Sequence, residues 1–148
     1  MKPVTVHSTA APEHIWAVLS DGWLYSSWVV GAARIRAVDD GWPAIGSRIH
    51  HSVGVWPGLI NDETRSLGAG ETTLELSAAA VPFGHARILL EILPDPDGTR
   101  LTMAEHAETA PMSWLPDDVQ HMVMAPRLRE CLRRLASMAE GHARSSPG

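Results

Sequence analysis

The sequence predicts an α+β fold: an antiparallel sheet closed on one side by a single long terminal helix. Three observations predict it. Between Ala32 and Ala107, apolar and polar residues largely alternate with the period of two that marks strands. From about Leu115 to Glu140, apolar residues recur instead at helical spacing. A short alternating segment and two short helical ones precede both. A curved sheet closed in this way leaves space between its layers, and such space suits a small apolar molecule.

Residues 2–8, KPVTVHS, are β-branched and alternating, as in a strand. Ser8 or Thr9 then starts a turn, and Ala11-Pro12-Glu13 opens a helix with proline in its first turn. Ile15, Trp16, Val18 and Leu19 form its apolar side; Asp21-Gly22 ends it. A second short helix is predicted over 23–30, WLYSSWVV, before Gly31. Strands follow at 33–39 and 47–56, separated by the turn GWPAIG. Pro57-Gly58 turns the chain into a weakly marked strand near 59–67, LINDETRSL, and Gly68 and Gly70 flank the next connection. The clearest strands are ETTLELSAAA, GHARILLEIL and TRLTMAEHA, separated by Pro82 and by DPDG at 95–98. Val119, Met122, Val123, Leu128, Cys131, Leu132, Leu135 and Met138 are the expected buried stripe of the terminal helix. Pro116, Asp117 and Asp118 suit its positive end. Pro126 removes a backbone donor and predicts a kink or break. The expectation is one domain over 1–148, with an ordered core at about 2–141 and a frayed tail at 142–148.

A chain of 148 residues can bury roughly two-thirds of its unfolded surface. The formal charge of −5 argues against a nucleic-acid partner, which needs a basic face. Cys131, the single cysteine, excludes an intrachain disulfide and fits a reducing compartment. The first residues have no signal-peptide core, and no run approaches the about 18 apolar residues of a membrane span. These features point to a cytoplasmic protein without membrane insertion. Six tryptophans against one tyrosine and one phenylalanine supply large apolar surfaces, each with one N–H donor.

The order strand, two helices, several strands and long helix resembles the START/Bet v 1-like superfamily, also called SRPBCC. Within it the chain is similar to the polyketide cyclase/dehydrase-like group of small bacterial proteins. The residues that carry the likeness are APEHIWAVLSD (11–21), Trp28, GSRIHHSVGVWP (46–57), and Arg127 with RECLRRL (129–135). The resemblance implies a helix-grip fold, a curved antiparallel sheet wrapped around the long C-terminal helix with a cavity between them. It implies further that the cavity binds lipids, polyketides, sterols or hormones, and in some members catalyses cyclisation or dehydration.

Alternation assigns the inner face of the sheet without an alignment. One parity gives Thr72, Leu74, Leu76 and Ala78; the next strand gives Ala86, Ile88, Leu90 and Ile92; the last gives Leu101, Met103, Glu105 and Ala107. Ile49, Val53 and Val55 carry His51 inward with them and turn His50 outward. The expected ligand-binding set is Trp28, Ile49, His51, Val53, Leu74, Leu76, Ile88, Leu90, Met103, Glu105 and Met122. Glu105 and His51 are the polar exceptions and the candidate acid/base groups, alongside a purely structural reading of both. Burial would raise the Glu105 pKa unless His51 or an arginine reaching inward stabilised its charge.

Other motifs carry less. His50 and His51 point to opposite faces and cannot easily share an ion, and neither HExxH nor CxxC occurs, so neither metal nor cofactor is expected. There is no GxSxG turn, and Ser52 lacks an orienting acid. Arg127, Arg129, Arg133 and Arg134 read as a solvated flank or as salt-bridge partners. The leading function is binding of a small hydrophobic, aromatic or lipid-like molecule. The alternatives are a polyketide cyclase- or dehydratase-like enzyme using Glu105 and His51, and a protein-interaction module whose interior is filled by Met103, Met122 and Met124.

Overall fold

The computed structural model describes residues 2–30, 32–53, 60–79, 85–110 and 112–145. β1 (Val4–Ser8) leads into α1 (Pro12–Leu19), a 3-10 turn (Gly22–Leu24) and α2 (Tyr25–Trp28). Six strands follow: β2 (Ala32–Val38), β3 (Arg48–Val53), β4 (Ile60–Ala69), β5 (Thr73–Ala79), β6 (His85–Asp95) and β7 (Gly98–Ala107). A second 3-10 turn (Met112–Trp114) precedes α3 (Asp117–Ser145). The strands form one curved antiparallel sheet in the order β1-β7-β6-β5-β4-β3-β2. The first two strands in sequence therefore occupy opposite edges, and α1 and α2 span the distance between them.

The core lies between this sheet and α3, which packs against β1, β7, α1 and α2. β6 shows why. Ala86, Ile88, Leu90 and Ile92 are essentially fully buried, while His85 and Arg87 face solvent, so one face of the pleat carries the apolar load. On α3, Leu128, Cys131, Leu132, Leu135, Ala136 and Ala139 form the complementary buried stripe. At the β6–β7 hairpin, Gly98 has φ of +145°, and a Cβ there would collide with the backbone of Ser8 and Thr9. Only glycine lets β1 lie this close to the turn.

The first turns of α3 differ from the expected stripe. Met122 is 72% exposed, and Val119 and Val123 are also exposed; Gln120, Met124 and Ala125 are buried instead. Met122 is therefore not an inward-facing residue. The helix continues unbroken through Pro126, so helical spacing back from Leu128, Cys131 and Leu132 puts Met124 and Ala125 on the buried face. Gln120, on the same side, docks by its amide: Oε1 accepts from Ala107 N at 3.2 Å and Nε2 donates to Leu115 O at 2.8 Å. The same rotation turns Met122 and Val123 outward. Pro126 does not break α3, which continues to Ser145, past the expected end near Glu140. Pro126 and Met122 are both exposed, so the carbonyl that Pro126 leaves unpaired lies on the solvent side.

The helix expected over 23–30 is divided into the 3-10 turn and the four-residue α2. The Trp42–Pro43 peptide is cis, and Trp42 donates from Nε1 to Leu19 O at 3.0 Å. The side chain of Val53, the expected inner residue Val55, and the turns at Pro57-Gly58 and Pro82 lie outside the described residues.

Candidate functional site

The inner face of the sheet divides into two regions. β5, β6 and β7 supply an aliphatic wall of Leu74, Leu76, Ile88, Leu90, Ile92, Leu101 and Met103, each at most 1% exposed. β3 and β4 supply a polar one. There Ile49 pairs with Thr64 and His51 with Asp62, and residues paired across an antiparallel ladder point to the same face. His51, Thr64 and Ser66 are buried. Glu105, on β7, adds a carboxylate at the edge of the aliphatic wall.

His51 and Glu105 are thus both buried, on the face that alternation assigns to them. The structure does not pair them with each other. Three strands lie between β3 and β7, and each group has its own partners. Glu105 Oε2 accepts from Arg127 Nη1 at 2.7 Å; the glutamate side chain is 1% exposed and the arginine 31%. Arg127 Nε donates to Val30 O at 3.0 Å, so this side chain ties α3 to β7 and to the end of the α2 segment. Burial pushes the Glu105 carboxyl above its ordinary range, and Arg127 draws it partly back.

His51 Nε2 lies 2.7 Å from Thr64 Oγ1, which lies 3.1 Å from the Tyr25 hydroxyl. The Tyr25 ring stacks on the imidazole, with centroids 5.8 Å apart, and meets Trp28 edge-on at 5.5 Å. Burial pushes the His51 imidazole below its ordinary range, with the Asp62 charge acting against it. Burial also pushes the Tyr25 phenol up to about 12, and both Arg127 and Glu105 act on that phenol. Tyr25 thus stacks on His51 and feels the charges of Arg127 and Glu105. Cys131 lies alongside, its thiol pushed up by burial and its Sγ accepting from Val30 N at 3.4 Å.

Of the expected ligand-facing residues, Trp28, Ile49, His51, Leu74, Leu76, Ile88, Leu90, Met103 and Glu105 are all buried; Met122 is not. Sequence reasoning missed Thr64 as a member of the site, and with Trp23 and Trp28 it expected Tyr25 only at the border of the cavity mouth. Tyr25 lies in a segment too short for a helical period, and Thr64 in a strand whose two faces are both polar. A separate surface hollow of about 390 Å³ has Asp21, Trp23, Asp39, Asp40 and Trp42 in its walls. Asp21 already accepts from Trp23 N, and Asp39 from Arg48 N and His50. Their hydrogen bonds hold the turns together. Among the described residues no cluster of three or more His, Cys, Asp or Glu is arranged to hold a metal ion.

A curved antiparallel sheet wrapped on one long helix is the helix-grip architecture of the START/Bet v 1-like superfamily. Residues 3–140 match the family described as polyketide cyclase/dehydrase and lipid transport, and the chain belongs to that family. A Rhodobacter sphaeroides protein of known structure is 25% identical, with 94% of this chain and 91% of that one covered and a TM-score of 0.69. The Zhui aromatase/cyclase from Streptomyces sp. R1128 is 18% identical, with 99% and 97% covered and a TM-score of 0.69. Ara h 8.0201 is 14% identical, with 95% and 97% covered and a TM-score of 0.68. The last two likenesses are of fold alone. No curated protein matches the sequence.

Proposed function

We propose that the interior between the sheet and α3 binds a small hydrophobic molecule, with the aliphatic wall of β5–β7 as the contact surface and Glu105 and His51 as polar contacts. One observation carries this reading: a carboxylate whose side chain is 1% exposed, held by an arginine that reaches from that interior to solvent. A core required only to be stable has no need of such a pair, since an apolar replacement of similar volume is often neutral or stabilising. Family membership supports the same reading. No described helix is long and apolar enough to cross a membrane. Native mass spectrometry of protein purified from cells, together with titration of a fluorescent fatty acid, tests the proposal. A bound apolar molecule or saturable uptake is expected; failure of both experiments overturns it.

The second reading is an enzyme of the cyclase or dehydratase kind. It is favoured by two buried ionisable groups whose pKa values are displaced in opposite directions, Glu105 upward and His51 downward. On this reading Glu105→Gln retains binding of the substrate and loses turnover. Full activity in that variant removes Glu105 as acid or base.

A further inference from the structure

Seven large hydrophobic side chains are exposed among the described residues, and five of them fall in one short stretch: Trp114, Leu115, Val119, Met122 and Val123. Trp114 is 79% exposed. Leu115 leads into α3, and spacings of three and four place Val119, Met122 and Val123 on one side of its first turns. The buried stripe of Leu128, Cys131, Leu132 and Leu135 is a different face of the helix. A contiguous apolar surface left in water marks a contact site.

Charge decides what that contact is. Met122, Pro126, Arg129 and Arg133 follow one another at spacings of four, three and four, and all are exposed. One stripe of the helix therefore starts apolar and ends cationic. Arg129 and Arg133 have no carboxylate partner among the described residues. The three acids between Trp114 and Arg134 do have partners: Asp117 faces His106 at 3.4 Å, Asp118 pairs with Lys2, and Glu130 with Arg134 at 3.0 Å. The unmatched charge on this face is positive, although the chain as a whole carries −5. A protein groove that took the whole stripe would have to bury two guanidinium groups at one end. A lipid surface accommodates both halves, because apolar side chains reach the acyl boundary while arginine stems extend to the phosphates. Trp114 suits the same boundary, with an apolar ring and one polar N–H.

We infer that the exposed face of the first turns of α3, together with Trp114, is a docking surface for anionic lipid bilayers. Trp114, Met122 and Val123 enter the acyl boundary, and Arg129 and Arg133 meet the phosphates. The contact is peripheral, since no described helix is long and apolar enough to cross a membrane. It goes beyond the interior site and stands without it, because these side chains face solvent.

Flotation with vesicles of phosphatidylcholine alone, and of phosphatidylcholine mixed equally with phosphatidylglycerol, tests the inference. The wild type is expected to float with the mixed vesicles and to bind them at least about tenfold more tightly than the neutral ones. Arg129→Gln and Arg133→Gln are each expected to weaken that binding about fivefold. The double variant Trp114→Ser, Met122→Ser is expected to lose it, with the thermal midpoint of the wild type retained because both side chains are exposed. Failure of the wild type to bind either vesicle overturns the inference, and so does equal affinity for the two. Undiminished binding by the double variant overturns the assignment to this face. Self-association that the double variant abolishes, without vesicle binding, gives the face to a second copy of the chain and overturns the lipid reading. None of these outcomes bears on uptake of an apolar molecule by the interior.

Discussion

Arg127 bonds two elements at once, and its removal should be felt in both. Arg127→Met leaves the Glu105 carboxylate buried without a partner, and losing one member of such a pair costs on the order of 3 kcal/mol. Glu105→Gln leaves an amide oxygen for Arg127 and should cost clearly less; chemical denaturation of the two variants checks the ranking, and an equal loss would argue against it. His51 gives a pH dependence of defined sign. Its folded pKa lies below the ordinary value, so the unfolded chain takes up a proton that the folded chain refuses. Stability is therefore retained above about pH 6.5 and lost as the pH falls below it. Denaturation midpoints of the wild type and His51→Phe, measured between neutral and mildly acidic pH, should show a shallower acid loss in the variant. Parallel curves would mean that His51 is not the group responsible.

At the scale of elements, legibility followed chemistry. The inner face of β5, β6 and β7 could be read because Leu74, Leu76, Ile88, Leu90, Leu101 and Met103 recur at every second position. β4 could not, because Asp62, Thr64 and Ser66 alternate with Glu63 and Arg65, and a polar inner face leaves no hydrophobic period. Helix α3 misled in its first turns for the opposite reason: Val119, Met122 and Val123 make an apolar arc that competes with Met124 and Ala125. The expected break at Pro126 hid the answer: α3 runs straight through it, so the stripe of Leu128, Cys131 and Leu132 extends back to Met124 and Ala125. The two faces have different energetics. Met124→Ala should cost about 2–3 kcal/mol as a core truncation, whereas Met122→Ala should stay within about 0.5 kcal/mol. Thermal or denaturant unfolding of the pair would expose an error in the rotation assigned to α3 if the order were reversed.

The whole molecule is joined end to end. β1 pairs with β7, and Ser8 Oγ donates to Glu140 Oε2 at 2.8 Å, linking residues 132 apart in sequence. Thr99 Oγ1 donates to Ala10 O at 2.7 Å beside that junction. The start of the chain and the terminal helix both pack on β7, so unfolding should be a single transition. Tryptophan fluorescence and far-ultraviolet circular dichroism should then give coincident denaturation curves; separate midpoints would show that α3 or β1 detaches independently. The sequence made this architecture legible because its order of periods is a global signal. The Tyr25–Thr64–His51 line was not legible, since it exists only where three distant segments meet.

The position of β2 at the far edge of the sheet bears on how this protein behaves when crowded. An open edge presents unpaired backbone groups to any passing strand, the route by which sheets polymerise. The β2 edge is irregular: its register against β3 shifts twice, between Ala32 and Arg34 and between Ile35 and Ala37. Arg34 and Arg36 both stand exposed along it. Bulges twist such an edge away from flat pairing, and like charges repel a second copy. Replacing both arginines with threonine should raise light scattering during prolonged concentrated storage, and unchanged scattering would show that the charges are not the guard. The strand at the open edge thus has a task of its own, keeping one molecule's sheet from continuing into the next.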